Sequence, residues 1–188
     1  MARLVYGMMV SLDGYVEAPG HDIGWSAPDE QLHTFANDEA REAGAFLYGR
    51  RLYELMSQFW PTADADPSTP EHIAGYARIW RDKPKVVFST TLTEVGWNAR
   101  LVRGNVAEEV AALKAQPGGD LQVGGPTLAA SLIRLGLVDE YRPLVHPVVL
   151  GAGTRYLPEL AERIPMRLLE TRTFDSGVVY LRYAQGSD

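Results

Sequence analysis

Apolar runs alternate with amphipathic segments along the chain as far as Leu137, which predicts strands followed by helices. Residues 4–12 form an almost continuous apolar run, as expected for a strand covered on both faces. Similar short runs predict further strands at 45–48, 85–88, 101–102 and 121–123. Apolar residues three or four positions apart predict helices over 28–43, through 53 and 56, over 71–81, after 105 and from 126. Repeated strand and helix units favour a mostly parallel sheet with helices on both faces.

The chain after Leu137 is rich in strand-forming residues. Residues 141–150 form a long run that contains Pro143 and Pro147, and we expect these prolines at a strand end, an edge or a bulge. Two further segments flank the sequence at 175–177, Asp-Ser-Gly, which predicts an antiparallel hairpin. We therefore expect one α/β domain over residues 1–188, with the hairpin added to a mostly parallel sheet.

The segment at 119–141 contains a strand, a glycine turn and a helix in succession. Gly124 and Gly125 end the strand, and Pro126 suits the first helical position, where its missing N–H is not needed. A helix N-terminus carries free N–H groups and a partial positive charge, and residues without a Cβ allow an anion to approach. The turn therefore predicts a pyrophosphate site, although a tight turn that binds nothing has the same glycines.

Polar or glycine residues follow the predicted strands at four places, which are Asp13, Gly49-Arg50, Ser89-Thr90 and Gly124-Gly125. The carboxyl ends of parallel strands share one edge of a sheet, and ligands bind at that edge. Four such sets at one edge favour a ligand cleft over four separate turns.

Arg50 and Arg51 are paired cations at the second of these places. Guanidinium groups suit phosphate oxygens, so together with the hydroxyls of Ser89 and Thr90 they predict a site for the 2′-phosphate of an adenosine ribose. Such a site would select NADPH over NADH. Two solvated surface arginines are the alternative interpretation.

Composition narrows the range of partners. The formal net charge of −6 argues against nucleic acid or an anionic membrane as the main partner. The chain has no cysteine, which excludes disulfides and thiolate metal sites. The histidines lack metal-ligand spacing, so we predict no metal and interpret them as structural or exposed; they are His21, His33, His72 and His146. The first apolar run is too short for a membrane span and lacks a signal-peptide pattern, so we expect a cytoplasmic protein.

The order and spacing of these motifs resemble the dihydrofolate reductase-like superfamily, and most closely its RibD C-terminal domain branch, which contains the reductase domain of riboflavin biosynthesis. The motifs that carry the resemblance are SLDG at 11–14, Trp25-x-x-Pro28-x-Glu30, Gly49-Arg50, Ser89-Thr90, VGGPTL at 123–128 and VHPVVLGAG at 145–153. The resemblance covers nearly the whole chain and implies a three-layer sandwich around the central sheet.

The resemblance also implies a cofactor and an assembly. NADPH would be the hydride donor, with its adenosine side at Gly49, Arg50, Ser89 and Thr90 and its pyrophosphate near Gly124, Gly125 and Thr127. We also expect Arg51 and Pro126, which adjoin these residues in the sequence, in the cofactor site. The peptide between Gly124 and Gly125 would be unusual, with the cis form as a candidate. Homodimers are common in the riboflavin branch, so a homodimer is expected here.

Three residues are candidates on the substrate side. Glu30 stands where folate reductases carry the carboxylate that supports protonation of the pterin, and compensation of the helix dipole is its other interpretation. Asp13 corresponds to the substrate side of the pyrimidine reductases, and an ordinary Asp-Gly turn would also explain it. Trp25 lies in a predicted loop, either as a wall of the substrate site or as a plug of the core.

The chain departs from the family pattern in two places and lacks a deaminase partner. Leu52 stands where folate reductases have threonine, and Pro126 stands where they often have a third small residue. The zinc-ligand cysteines of the full riboflavin enzyme are absent, so we expect a stand-alone reductase.

We expect an NADPH-dependent oxidoreductase that transfers hydride to a small molecule, either a ribosylaminopyrimidine of the 5-amino-6-(5-phosphoribosylamino)uracil type or a pterin. The alternatives are a dihydrofolate reductase proper and a non-catalytic nucleotide-binding module on the same fold. A Rossmann dehydrogenase is disfavoured because no G-x-G-x-x-G follows the first strand.

Overall fold

The computed structural model describes residues 1–186 of the chain. Its strands are β1 (Leu4–Ser11), β2 (Tyr15–Glu17), β3 (Ala45–Gly49), β4 (Lys85–Phe88), β5 (Ala99–Val102), β6 (Leu121–Gly124), β7 (Glu140–His146), β8 (Thr154–Arg155), β9 (Met166–Thr173) and β10 (Val179–Gln185). Its α-helices are α1 (Glu30–Glu42), α2 (Arg50–Phe59), α3 (Glu71–Asp82), α4 (Val106–Ala115) and α5 (Pro126–Arg134). Two short 3-10 helices cover Gly24–Ser26 and Trp60–Thr62.

Eight strands form one sheet in the order β5-β4-β3-β6-β1-β7-β10-β9. The strands from β5 to β7 run parallel, whereas β10 is antiparallel to both of its neighbours. The mostly parallel sheet and the antiparallel hairpin of β9 and β10 are therefore as the sequence predicts. A separate antiparallel pair, β2 with β8, was not predicted, because strands of two or three residues are too short to show an alternating pattern.

The core lies on both faces of β1, as its apolar run predicts. Leu4, Val5 and Tyr6 are each at most 1% exposed. Residues of α5 such as Leu132 pack in the same buried cluster as Leu4 and Tyr6. Consecutive residues of a strand point to opposite faces, so burial of all three means that helices or loops cover the sheet on both sides.

The helix starts follow capping chemistry. Asp29 caps α1 by accepting a hydrogen bond from the N–H of Leu32 (2.8 Å), so α1 begins at Glu30 rather than at Pro28. Asn105 caps α4 in the same way through the N–H of Glu108. Both capping side chains accept from the third residue of the helix, which removes one unsatisfied donor.

The two prolines of the predicted strand at 141–150 occupy different environments. Pro147 lies directly after β7, as expected, but Pro143 lies inside β7, between β1 and β10. The pairing of β7 with β10 is interrupted at Arg142 and Pro143, so the missing amide falls at a break in the ladder.

Among the helices of residues 1–186, none combines the length and the apolar character needed to cross a bilayer.

Candidate functional site

The carboxyl ends of β3, β4 and β6 lie next to one another. β3 lies between the other two, with Tyr48 paired to Gly124 of β6 and Gly49 paired to Phe88 of β4. Arg50 follows β3 and Ser89 follows β4, so both lie at the same edge of the sheet as the glycine turn after β6. This placement brings together the three sets of residues from which the sequence predicts a nucleotide site.

Gly125 is the N-cap residue of α5 and provides no side chain to satisfy the first turn of the helix. Its φ of 89° and ψ of 129° lie in a region that side chains rarely adopt. The peptide between Gly124 and Gly125 is trans, as are the other peptides of the described chain, so the expectation of a cis bond is wrong. The turn is instead formed by the positive φ of Gly125.

Packing also explains the glycine at position 124. A Cβ there would lie 2.6 Å from Cδ2 of Leu52 and 3.2 Å from the Tyr48 ring. Leu52, which replaces the threonine of folate reductases, thus covers the outside of the glycine turn. A side chain at position 124 would therefore displace the tip of Leu52, with or without a ligand.

The structure separates the two neighbouring arginines. Arg50 Nη1 donates to Thr91 Oγ1 (3.0 Å), which lies just beyond Ser89 and Thr90, and Arg50 Nε donates to Glu54 (2.9 Å). About half of its side chain is exposed. Arg50 is therefore the arginine beside the predicted adenosine side.

Arg51 turns away to the small sheet of β2 and β8. It forms an ion pair with Glu17, a buried carboxylate that also accepts from Thr154 Oγ1 (3.0 Å). His21 Nδ1 lies 2.7 Å from Arg51 Nη1 and 2.9 Å from Glu17 Oε2. Arg51 thus connects the start of α2 to β2 and to the loop that follows β2.

Ser89, the first hydroxyl residue after β4, forms hydrogen bonds within its own loop. Ser89 Oγ accepts from the N–H groups of Thr91 (3.2 Å) and Leu92 (3.1 Å). Thr90 is exposed, and its carbonyl accepts from Arg103, which lies just after β5. Arg103 is a further cation at this edge that the sequence did not indicate, because β5 is short and only half-buried.

Asp13 ties two loops together at the end of β1. Its carboxylate accepts from Ser11 Oγ (2.7 Å) and from the N–H groups of Leu150 (3.1 Å) and Gly151 (2.7 Å). The hydrogen bond from Ser11 and those from the two amides lower the pKa of Asp13 to about 2. Asp13 is therefore ionised at neutral pH and serves as an acceptor that joins this turn to the segment after β7.

A cavity of about 250 Å³ lies near the start of α1 and the carboxyl end of β7. Its walls include Trp25, Asp29, Leu32, His146 and Val178. Trp25 contacts the His146 ring edge-to-face, with the ring centroids 5.4 Å apart. Trp25 is thus both a wall of the cavity and a packed side chain.

The carboxylate at this cavity is Asp29. Glu30 is exposed on the first turn of α1 and does not line the cavity. Asp29 lines the cavity as the N-cap residue of α1, and Glu30 is the first residue of the helix itself. Glu30 therefore lies where it compensates the helix dipole, the second of its two interpretations.

His146, which the sequence did not indicate as a site residue, is buried in the cavity wall. Only 7% of it is exposed. Burial lowers its pKa, and the nearby carboxylate of Asp29 raises it less. The sequence could have indicated His146 as a site residue only through its position at the end of an apolar strand, a position that Asp13 and Ser89 share.

No group of three or more His, Cys, Asp or Glu side chains within residues 1–186 is arranged to hold a metal ion. The edge of the sheet therefore offers a ligand arginine side chains and the partially charged N–H groups at the start of a helix.

Comparison with known proteins gives consistent matches. The family model described as the RibD C-terminal domain matches residues 2–180. The chain is 36% identical over 182 residues to the uncharacterized protein YyaP of Bacillus subtilis (strain 168), covering 96% of this chain and 94% of that protein. A candidate riboflavin biosynthesis protein from Shewanella sp. PV-4 has a similar structure, with a TM-score of 0.76, 22% identity and complete coverage of both chains.

Dihydrofolate reductase from Enterococcus faecalis, complexed with NADP(H) and RAB-propyl, is also similar in structure, with a TM-score of 0.67 and 14% identity. The match covers 98% of this chain and 97% of that one. These likenesses confirm the resemblance that the motifs indicate and the dihydrofolate reductase-like α/β fold. The chain belongs to the RibD C-terminal domain family.

Proposed function

We propose that the protein is an NADPH-dependent reductase that transfers hydride to a small heterocyclic substrate. The observation that carries this proposal is the edge formed by β4, β3 and β6. Arg50 lies there beside the loop of Ser89, Thr90 and Thr91. The start of α5, which has no side-chain cap, follows the neighbouring strand β6. A cation on one side and free helix amides on the other suit the phosphates of a dinucleotide.

The residues at this edge fit NADPH. Gly125 leaves the first turn of α5 without a side-chain cap, so the amides of Thr127 and Leu128 are free to meet a pyrophosphate. Arg50 and the exposed Thr90 would meet the adenosine ribose and its 2′-phosphate. The bound cofactor would supply the hydride, and this chain would supply orientation.

The cavity beside α1 is proposed as the substrate site. Its volume of about 250 Å³ lies just below the roughly 300–1,000 Å³ of typical ligand pockets, so it suits a compact ring. A ribosylaminopyrimidine or a pterin presents such a ring. The first agrees with the family, because the similar Shewanella protein is named for riboflavin biosynthesis; the second agrees with the likeness to dihydrofolate reductase.

A direct spectrophotometric assay of NADPH oxidation tests the function. Loss of absorbance by NADPH would be followed with 5-amino-6-(5-phosphoribosylamino)uracil and, separately, with dihydrofolate. Turnover with either supports a reductase and identifies the substrate class. The exposed position of Glu30 and the structural bonds of Asp13 favour a rival, a nucleotide-binding module without catalysis. That rival is supported if NADPH binds and neither acceptor is reduced.

Asp29→Asn is expected to lower kcat/KM for the heterocyclic substrate about tenfold, because a hydrogen bond to a charged group contributes about 1.5–3 kcal/mol. Asparagine caps a helix as well as aspartate does, so the start of α1 should be kept while the charge is lost. Steady-state kinetics measure the effect, and NADPH affinity should not change.

Glu30→Gln is the matched control for this variant, since it removes a carboxylate one residue away but outside the cavity. We expect its kinetics to equal those of the wild type. A larger loss in Glu30→Gln than in Asp29→Asn would return the substrate role to Glu30.

We also propose a homodimer that forms through β9. This strand is at the edge of the sheet, and all eight of its residues are exposed. Met166, Leu168 and Leu169 are among them, with Leu168 50% exposed. A long edge strand with exposed apolar residues is a surface that another chain can cover.

Leu168→Asp is expected to convert the dimer to a monomer, as measured by light scattering coupled to size-exclusion chromatography. Leu135→Asp serves as the control, because Leu135 is 54% exposed at the end of α5 and far along the chain from β9. A monomeric wild-type protein, or an equal effect of both substitutions, would contradict the proposed interface.

A further inference from the structure

A second cavity lies at the opposite edge of the sheet from the proposed nucleotide site. The segments at 2, 44, 84, 96–98 and 116–119 line it, and they precede β1, β3, β4, β5 and β6. These strands run parallel, so their amino ends share one edge, here called the amino-edge cavity. Strands of four or five residues span roughly 13–17 Å, which separates this cavity from Arg50, Ser89 and Gly124 at the carboxyl edge.

The amino-edge cavity has the size and the lining of a ligand pocket. Its volume is about 530 Å³, within the roughly 300–1,000 Å³ of typical pockets. Its buried lining residues are apolar apart from Lys85; they are Ala45, Val86, Leu113 and Leu121. Its exposed lining residues include Trp97, Arg100 and Gln116. Apolar buried walls with a few polar groups at the surface suit a ring compound that carries a polar substituent.

Trp97 has an unusual backbone conformation beside this cavity. Its φ is 57°, and that of the next residue, Asn98, is 55°. Bulky side chains seldom adopt this left-handed conformation, which costs about 1–2 kcal/mol per residue. Despite this cost, the large apolar side chain of Trp97 is 48% exposed.

Contacts to the main chain hold the turn at 96–98 in place. The Tyr53 hydroxyl accepts from the N–H of Gly96 (2.8 Å) and donates to its carbonyl (3.2 Å). Lys85 Nζ donates to the carbonyl of Trp97 (2.6 Å), and the Lys85 N–H donates to the carbonyl of Asn98 (2.9 Å). None of these contacts uses the indole. The surrounding residues therefore fix the strained backbone while the Trp97 ring stays accessible.

The charged groups of the amino-edge cavity favour an anion. The Arg100 side chain is half exposed, and its ion pair with Glu109 uses Nη2, one of several donors of a guanidinium group. Burial lowers the pKa of Lys85 to about 8, so its ammonium group is still mostly protonated at neutral pH. Among the described residues, those that line the cavity include no aspartate or glutamate. The cavity is thus locally positive in a chain whose formal net charge is −6.

We propose that the amino-edge cavity is a second binding site, which takes a planar aromatic carboxylate. The ring of the ligand stacks on the Trp97 indole beside the apolar walls, and its carboxylate pairs with Arg100. Exposed indoles bind planar rings by stacking, and guanidinium groups bind carboxylates through two parallel hydrogen bonds. This site goes beyond the proposed reductase function, whose cofactor and substrate are assigned to the carboxyl edge.

Naphthalene-2-carboxylate is the probe, with two matched compounds that each lack one feature. Naphthalene-2-carboxamide keeps the ring without the charge, whereas decahydronaphthalene-2-carboxylate keeps the charge without an aromatic ring. Calorimetry with the full chain measures each dissociation constant. We expect the probe to bind about tenfold more tightly than either matched compound, which corresponds to about 1.4 kcal/mol. Absence of probe binding, or a matched compound that binds as tightly, would overturn the proposal.

Substitutions identify the residues responsible. Arg100→Gln should remove most of the preference for the probe over the carboxamide. Trp97→Asn should weaken probe binding about tenfold, and asparagine suits the left-handed turn. Arg78→Gln is the matched control, because Arg78 is also half exposed and paired with an acid, Glu71, but does not line the cavity. Unchanged probe binding in Arg100→Gln or Trp97→Asn, or an equal loss in Arg78→Gln, would overturn the assignment.

The indole N–H signals of the labelled wild-type protein locate the probe without any variant. The Trp97 signal, identified by sequential assignment, should shift when the probe is added. The signal of Trp25, which lines the cavity beside α1, should not. A Trp97 signal that does not respond would overturn the proposal, and a response of Trp25 alone would place the probe in the proposed substrate cavity instead. NADPH oxidation is measured separately, so failure of the proposed reductase function would leave this result intact.

Discussion

Arg50→Ala is expected to weaken NADPH binding about a hundredfold while NADH binding changes little. Hydrogen bonds to charged groups contribute about 1.5–3 kcal/mol each, and a guanidinium group can form two of them with one phosphate. Arg50 already reaches the loop after β4 through Thr91. The 2′-phosphate distinguishes the two cofactors, so only NADPH should lose this contact.

Fluorescence titration of the two cofactors measures the effect, and Arg51→Ala is the matched comparison. Arg51 is paired with Glu17, so its loss should alter the preference for NADPH far less. Equal losses for NADPH and NADH in Arg50→Ala would show that this arginine does not bind the 2′-phosphate. A larger change of preference in Arg51→Ala would mean that Arg51 leaves Glu17 to bind the cofactor.

The environment of Glu17 explains why the two arginines are not equivalent. Burial alone would raise the pKa of Glu17, but the hydrogen bonds from His21 and Thr154 and the charge of Arg51 bring it below its ordinary value. The ionised carboxylate therefore needs a cation, and Arg51 supplies it. The sequence shows two adjacent arginines, but Arg51 pairs with residues 30 and 34 positions before it and Arg50 donates to Thr91, 41 positions after it.

The mostly parallel sheet and the shared edge could be predicted because they follow from local patterns, whereas the order of the strands could not, because it depends on pairing between distant segments. Apolar runs of four or five residues identify β3 and β4, and the rule that parallel strands end at one edge places Arg50, Ser89 and Gly124 together. Nothing in this step requires knowledge of a side-chain contact. The small sheet of β2 and β8 could not be predicted in this way, because its strands are too short to show an alternating pattern and their pairing joins distant loops.

The residues that line the proposed substrate cavity could not all be predicted from the sequence. Asp29 and Glu30 are adjacent carboxylates, and the choice between them depends on which one caps α1, a matter of one backbone position. His146 gives no sign of its burial in the sequence, because a histidine after an apolar strand is equally compatible with an exposed edge. Both residues are defined by the cavity wall, which is assembled from three separate segments of chain.

Gly153→Ala is expected to lower the free energy of unfolding by about 3 kcal/mol or more, the range of substitutions that force a backbone clash. Gly153 has a φ of 139°, and a Cβ there would overlap the carbonyl oxygen of Glu17. The two segments cannot separate at low cost, because Glu17 pairs with Thr154 in the small sheet and its carboxylate accepts a hydrogen bond from the Thr154 hydroxyl. Denaturant unfolding followed by circular dichroism measures the change.

Gly151→Ala separates the clash from the backbone conformation. Gly151 also has a positive φ, 77°, but a Cβ there would meet nothing within 4 Å. Its substitution should therefore cost only the conformational term, about 1–2 kcal/mol. Equal losses at the two glycines would show that the approach of Glu17 to Gly153 is not close in solution. A selective loss at Gly153 would instead mean that this glycine allows the loop after β7 to lie against the backbone of Glu17, whose side chain pairs with Arg51.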